Sequence, residues 1–334
     1  GERIKSEKGV SRYQDVFGEV LLDLARRNPS VVGITPAMAS GCGMNRLSKE
    51  MPDRFFDVGI EEEHAVTFAA GLAAGGLKPF CNIYSSFSQR AYDQILHDVA
   101  LQGLPVVICL DRGGLVGEDG ATHNGCYDMS AYRSIPGAVI AAPKDEIELK
   151  DMMYSAMLAD KGPYIIRYPR GYGEGSDWEN HEYTELTAGK GELIADGTEI
   201  AVICAGPTTA RAAEAAEICR KETGWAPAIY NIRYIKPLDT GLLDKICKEF
   251  KTVITVEDGS IIGGLYGGVC EFTSAYERPV KVRGIGIPDR YIGQATQEEQ
   301  REECGLTRER LTDVFKVEYE KISKKDEKVL EIKN

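Results

Sequence analysis

The segment Asp57-Val-Gly-Ile-Glu-Glu-Glu-His64 places three consecutive carboxylates where an apolar run ends and a helical pattern begins. Successive helical residues point about 100° apart, so at most one or two of Glu61, Glu62 and Glu63 can face one crevice. The plain reading is a solvated acidic helix start, favoured by the macrodipole. The chemical reading keeps one Glu in a dry site, where burial raises its pKa enough for acid/base work. A second segment, Tyr84-Ser-Ser-Phe-Ser-Gln-Arg90, stands at a similar turn. Ser85 or Ser86 could simply cap a helix with Phe87 in the core. Alternatively, Phe87 offers a flat ring to a planar ligand, and Arg90 meets an anion or a ring nitrogen.

Two further stretches carry candidate groups. Between Arg112 and Gly125 five glycines are strung with Arg112, Asp119 and His123, a loop too costly in backbone entropy to serve as a mere connector. Arg167-Tyr-Pro-Arg170-Gly ends an apolar run with two arginines. Either reads as a surface cation or as a phosphate ligand at a strand end. The other histidines are plainer: His64 and His97 sit within helical patterns as hydrogen-bonded structural residues, and His181 has no motif around it.

These groups need elements to position them. Apolar residues at helical spacing (Val16, Val20, Leu21, Leu24) predict a helix over 12–28, stopped near Asn28-Pro29. Strands are expected at 31–34, 55–58, 79–84, 105–110, 139–141 and 164–168, with helices at 61–74, 86–101 and 145–159. Such alternation argues an α/β fold, a doubly wound parallel sheet with functional groups on loops at the carboxyl ends of its strands. A polar, Gly-rich linker is placed at 171–190. A second doubly wound αβ domain follows, with strands at 200–204, 227–231, 252–257 and 282–285 and helices at 208–221, 240–249 and from 307. The expected organisation is therefore one domain over 8–175, a second over 190–320, and a charged, frayed tail over 321–334.

Composition narrows the function. The 334 residues are 43% apolar and 28% charged, with 40 basic against 52 acidic side chains, a formal charge of −12. No basic block offers the counterion-releasing surface that nucleic acid requires. The longest apolar runs, such as Leu104 to Leu110, are strand-sized against the roughly 20 residues of a membrane span, and the N-terminus is not signal-like. The chain reads as soluble and cytoplasmic, with neither a nucleic acid nor a membrane as partner. Nine scattered cysteines without a CxxC pair suit reduced thiols. Four histidines without HxxxH spacing make a protein-built zinc site improbable.

The four stretches, with Thr35-Pro-Ala-Met38 and the helix from Ala91 to Ala100, resemble the thiamine diphosphate enzymes of the transketolase superfamily, and within it the 1-deoxy-D-xylulose-5-phosphate synthases. The resemblance runs from about Tyr13 to Val317 and covers the second and third of the family's three domains. It implies that Glu62 contacts N1′ of the cofactor's aminopyrimidine as the catalytic acid/base. It further implies that Phe87 stacks on that ring, and that Tyr84 and Arg90 line the site. Arg112 and Arg167 would bind the phosphate of the sugar acceptor, beside Asp119, and His123 would transfer a proton or stabilise charge. Pyruvate would lose CO2 and condense with glyceraldehyde 3-phosphate. The family carries a neutral amide where Glu63 stands and a small residue at Glu61; if Glu63 points inward, the two carboxylates repel, whereas Glu61 is expected to face solvent.

The family's first domain, which holds the diphosphate and Mg2+ through a Gly-Asp-Gly segment, has no counterpart here. Glu118-Asp119-Gly120 and Glu257-Asp258-Gly259 come nearest, and neither fits. The Gly263–Gly268 cluster lacks the surroundings of a dinucleotide fingerprint. The chain also opens on Gly1, which suits a piece of a longer protein or the natural C-terminal half of a two-subunit enzyme. The resemblance implies a homodimer working with an N-terminal diphosphate-binding domain or subunit, the chain alone binding cofactor poorly. Other halves, of a split transketolase or a 2-oxo acid dehydrogenase, and a non-catalytic dimerisation module are the alternatives.

Overall fold

The computed structural model describes residues 9–333, with side chains through Lys324; residue 8 lies outside the described residues. The helical apolar spacing near the N-terminus produces α1 (Tyr13–Arg27), which buries Phe17, Leu21 and Leu24 and closes when the Asn28 N–H bonds Leu24 O. The chain continues through β1 (Val31–Thr35), α2 (Asn45–Glu50), β2 (Phe55–Asp57), α3 (Glu62–Ala74) and β3 (Lys78–Tyr84). The helix expected over 86–101 is broken into α4 (Ser85–Ser88), a tight turn at Gln89–Ala91, α5 (Tyr92–Gln94) and a wide π-helical stretch, Ile95–Ala100. After β4 (Val107–Asp111) come α6 (Asp128–Tyr132), β5 (Val139–Ala141), α7 (Glu146–Leu158), whose N-cap is the Asp145 side chain, and β6 (Tyr164–Arg167).

The second half runs β7 (Glu192–Ala195), β8 (Ile200–Ala205), α8 (Thr208–Thr223), β9 (Ala228–Asn231), β10 (Tyr234–Lys236), α9 (Thr240–Glu249) and β11 (Thr252–Ser260). It closes with α10 (Leu265–Ser274), β12 (Lys281–Ile287), α11 (Gln297–Glu303) and α12 (Arg308–Lys333). The expected frayed tail is instead helical backbone as far as Lys333, supported in its described part by pairs such as Lys324 with Glu320. Asn334 lies outside the described residues.

Two sheets result. One orders its strands β10-β5-β6-β4-β3-β1-β2, the other β12-β11-β8-β9-β7. All pairings are parallel except the edges β10 on β5 and β7 on β9. Strand β10 comes from the second half of the chain yet completes the first sheet, so the halves share backbone hydrogen bonds. Ile34, Ala69, Ile108, Ile203 and Leu243 belong to one continuous buried cluster. The opposite face of the first sheet packs on α1 and α7 through Phe17, Leu21, Leu149 and Met152.

The segment 171–190 is an ordered strap rather than a loose linker. The buried Glu146 carboxylate accepts from the Glu174 and Gly175 amides and from Ser176 Oγ, and Trp178 is buried. Asp151 accepts from the Thr184 N–H and meets His181 Nε2 at 2.9 Å. These bonds satisfy backbone groups that sequence alone leaves without partners. Among the described residues no helix is long and apolar enough to cross a membrane.

One crossing in this frame admits only glycine. A Cβ on Gly18 of α1 would lie 2.1 Å from Gly43 O, and Gly43 itself has φ +73°. The segment held there continues into the candidate site, where Gly41 lies against the Tyr84 hydroxyl. Gly18→Ala should lower unfolding free energy by about 1–3 kcal/mol through overpacking, measured by urea denaturation. Unchanged stability would show that the crossing can open at no cost.

Candidate active site

Four parallel strands of the first sheet, β6, β4 and β3 side by side and β2 beyond β1, deliver the candidate groups from their carboxyl ends. β2 leads to Glu62, β3 ends on Tyr84, β4 on Asp111 and β6 on Arg167, and in register Tyr84 is opposite Asp111 and Leu110 opposite Arg167. Of the three consecutive carboxylates only Glu62 is buried, at 3% exposure; Glu63 is half-buried and Glu61 exposed. Asp57 fixes the entry to α3 by accepting from the Ala37 and Gly59 amides.

Arg90 Nη1 donates to Glu62 Oε1 at 3.2 Å. The same guanidinium lies 5.3 Å from the centroid of Phe87, whose ring stacks on Tyr84 at 5.7 Å and 17°. His123 stands edge-on to Phe87 at 5.2 Å and 70°, its Nδ1 2.9 Å from Thr122 Oγ1. Arg112 lies over the Tyr84 ring at 4.1 Å. Glu62, Arg90, Phe87, Tyr84, His123 and Arg112 thus form one contiguous patch. A buried carboxylate beside a half-buried ring suits a flat, nitrogen-bearing heterocycle: the ring supplies a stacking face and the carboxylate a partner for ring nitrogen. Burial pushes the Tyr84 phenol above its ordinary range, keeping it a neutral donor.

Arg112 has φ +62°, an unusual conformation for a side chain of its size. It is held by its own neighbours: its amide and Nη1 donate to Asp111, and Nη1 also donates to Gly41 O at 2.9 Å. Its Nε is buried without a hydrogen-bond partner. Burial lifts the Asp111 carboxyl to about 6 although Arg112 opposes the shift.

The two arginines at the end of β6 separate into different roles. Arg167 is 3% exposed; its Nε donates to Asp128 at 2.9 Å and its Nη2 to Asp258 O at 2.9 Å. Its expected contact with a sugar phosphate is therefore corrected: a guanidinium held by these partners under Gly113 is a structural strut. Arg170 instead reaches the Gly-rich loop, donating to Val116 O and, at 3.0 Å, to Glu118, with Asp119 at 3.7 Å. Pro169 between them marks where the strand gives way to the loop, the signal that could have assigned the outer position to Arg170. Asp119, on the loop's exposed rim, is thereby brought to Arg170 rather than to Glu62.

The remaining histidines take structural places: His64 stacks on Phe68, His97 meets Asp93, and His181 meets Asp151. The carboxylates nearest to the sought diphosphate signature are also engaged. Glu257 accepts from the Leu265 and Tyr266 amides at the start of α10, and Asp258 accepts from the Leu115 N–H. Among the described residues no group of three His, Cys, Asp or Glu could hold a metal ion.

Two expectations separate these roles. Arg167→Met should cost about 3–5 kcal/mol, because Asp128 is left buried and unpaired, whereas Arg170→Met should cost about 0–1 kcal/mol; urea denaturation of both variants decides, and equal costs would refute the division. The second concerns Asp111, whose folded-state pKa lies above the unfolded value of about 3.9. The folded state takes up the proton first, so this contribution is full below about pH 4 and is lost as pH rises through about 6. Asp111→Asn should remove that slope, so the Tm of the variant relative to the original chain should rise between pH 5 and pH 8. A flat difference would refute the shift.

Comparison with known proteins identifies the two domains that carry this geometry. Residues 11–174 match the family model described as "Transketolase, pyrimidine binding domain", and residues 189–311 the one described as "Transketolase, C-terminal domain". The 1-deoxy-D-xylulose-5-phosphate synthase of Bacteroides thetaiotaomicron is 51% identical over 300 residues, 90% of this chain and 46% of that protein. The enzyme of the same name from Dictyoglomus turgidum is 44% identical over 313 residues, 94% of this chain and 50% of that protein. The chain spans about half the length of the curated relatives it matches. Among solved structures, one titled "Split gene transketolase, inactive beta4 tetramer" superposes with a TM-score of 0.81 at 27% identity, covering 91% of this chain and 97% of that one. The two αβ domains are therefore those of the transketolase family: the chain belongs to it and carries its pyrimidine-binding and C-terminal domains.

Proposed function

We propose that this chain is the pyrimidine-binding and C-terminal part of a 1-deoxy-D-xylulose-5-phosphate synthase, acting on pyruvate and glyceraldehyde 3-phosphate. The observation that carries the reading is the buried Glu62, hydrogen-bonded to Arg90 and adjoining the Phe87 ring. These residues fit the pyrimidine end of thiamine diphosphate, which when bound supplies the electron sink for decarboxylation and carbon–carbon bond formation. Glu62 exchanges a proton with the ring nitrogen, Arg90 orients that carboxylate, and Phe87 stacks on the ring. Tyr84 and Arg112 line the adjoining wall. His123, edge-on to Phe87, moves a proton at the reacting carbonyl oxygen. Arg112 and Arg170 meet the acceptor's phosphate, the first from the wall beside Tyr84 and the second from the loop's rim.

The residues do not fit the diphosphate and Mg2+, since the carboxylates of both candidate segments are occupied by backbone amides or by Arg170. The proposal assigns that end to an N-terminal domain or subunit, with this chain acting as a cytoplasmic homodimer. The half-length match to the synthases supports that division, as does a structural neighbour titled as an inactive β4 tetramer of a split transketolase. The higher identity to the synthases favours their substrates over those of transketolase.

Pyruvate consumption with glyceraldehyde 3-phosphate, thiamine diphosphate and Mg2+, measured with and without an added diphosphate-binding domain, tests the reading. Turnover should appear only on addition and fall by roughly 10²–10⁴-fold in Glu62→Gln. Turnover by the chain alone, or an unaffected Glu62→Gln, would overturn it.

A further inference from the structure

The Gly-rich loop is gripped from the second domain by a glutamine that none of the four chemical motifs contains. Gln300 is completely buried. Its Oε1 accepts from the Gly117 N–H at 2.8 Å, while its Nε2 donates to Gly117 O at 3.2 Å and to Gly293 O at 2.8 Å. A side-chain amide presents a donor and an acceptor together, so Gln300 offers Gly117 what a neighbouring strand would. Gly117 has φ +81°, and a Cβ there would lie 3.2 Å from Gln297 Cγ. Gln297, one helical turn before Gln300 on the same face of α11, donates to Leu115 O at 2.7 Å and Arg170 O at 3.3 Å. The start of α11 is itself fixed by the reciprocal Thr296 and Glu299 capping bonds.

The grip passes directly to the functional residues. Gly117 O also accepts from the Gly120 N–H, and Gly120 O from the amides of His123 and Asn124. The Asn124 side chain accepts from the Val116 N–H and donates to Ile292 O at 3.1 Å, a second anchor in the C-terminal domain. The tight turn Gly117–Asp119 therefore rests on α11 at one end and hands its geometry to His123 at the other.

We propose that Gln300 is a positioning residue for the acceptor half of the reaction, holding the Gly117–Asp119 turn so that Asp119, His123 and Arg170 face the phosphorylated aldehyde. This inference rests on the function proposed above, and it gives the C-terminal domain an indirect part in substrate recognition. Gln300 touches no substrate; it acts through the loop.

Two measurements test it, one independent of catalysis. In the purified chain, Gln300→Met should speed amide hydrogen exchange across residues 114–125 roughly tenfold, with the amides of β3 and β4 unchanged. Unaltered exchange in the loop would overturn the proposal. In the complex with the diphosphate-binding partner, the KM for glyceraldehyde 3-phosphate should rise several-fold, with the KM for pyruvate within twofold. Equal changes in both constants, or in neither, would overturn the acceptor-specific role. Gln297→Met, which removes only donors to Leu115 O and Arg170 O, should shift both readouts in the same direction by less, and decides the matter if Gln300→Met does not fold. If the unsubstituted complex shows no synthase turnover, the proposed reaction fails while loop exchange still judges the grip.

Discussion

The buried Arg167 guanidinium is the contact on which the site depends. Its Nε bonds Asp128, which also accepts from Ser85 Oγ at the start of α4, and its Nη2 bonds Asp258 O in the second domain. Three segments far apart in sequence are thereby joined at one charge: the turn that presents Phe87, the base of the Gly-rich loop, and β11. An ion pair so buried contributes little net stability compared with an apolar pair, because desolvation offsets its attraction. What it supplies is register, since either partner left alone would be a charge without solvent. Gly113 and Gly114 are needed directly above it, where a Cβ would strike Arg167 or the Asp258 carboxylate.

Around that joint the site is built from close backbone approaches. A Cβ at Gly125 would lie 2.1 Å from Arg112 O and 2.6 Å from Ser85 Cβ, and Gly114 and Gly125 exchange both backbone hydrogen bonds at 2.8 Å. The loop is thus closed on itself as a short ladder, with Arg112 at its near end and His123 before its return. Glycine loses more entropy on ordering than other residues, and here that cost is offset by satisfied backbone groups and by contacts from α11. The glycine-rich sequence thus forms a platform held by its own backbone bonds and by α11.

Much of this was legible in the sequence, and the limits follow from distance along the chain. Apolar periodicity gave the alternation of helices and strands, because burial on one face is a local pattern. The acidic turn after β2 and the aromatic turn after β3 stand out by residue type and position, but only the family resemblance singles out Glu62 and Phe87 within them. Strand β10 was not legible: Tyr234–Lys236 is only three residues, and its partner Ile140–Ala141 lies in the other half of the chain. The sequence does not tell Arg167 from Arg170, since both lie at the end of one strand, and only the long-range partners Asp128 and Asp258 mark Arg167 as the buried one. The strap over α7 looked like a linker for the same reason, its hydrogen-bond acceptors being Glu146 and Asp151 some thirty residues earlier.

The distribution of these contacts bears on how a site can be divided between two polypeptides. Glu62 is held by Arg90, Arg112 by Asp111 and Gly41, Phe87 by Tyr84 and His123, all within this chain. Binding energy is otherwise spent on ordering side chains and loops when two surfaces meet. Here the rings, the buried carboxylate and the loop are already held by contacts within this chain. The loop's anchors likewise come from the chain that carries it, through α11 and β11 of the C-terminal domain.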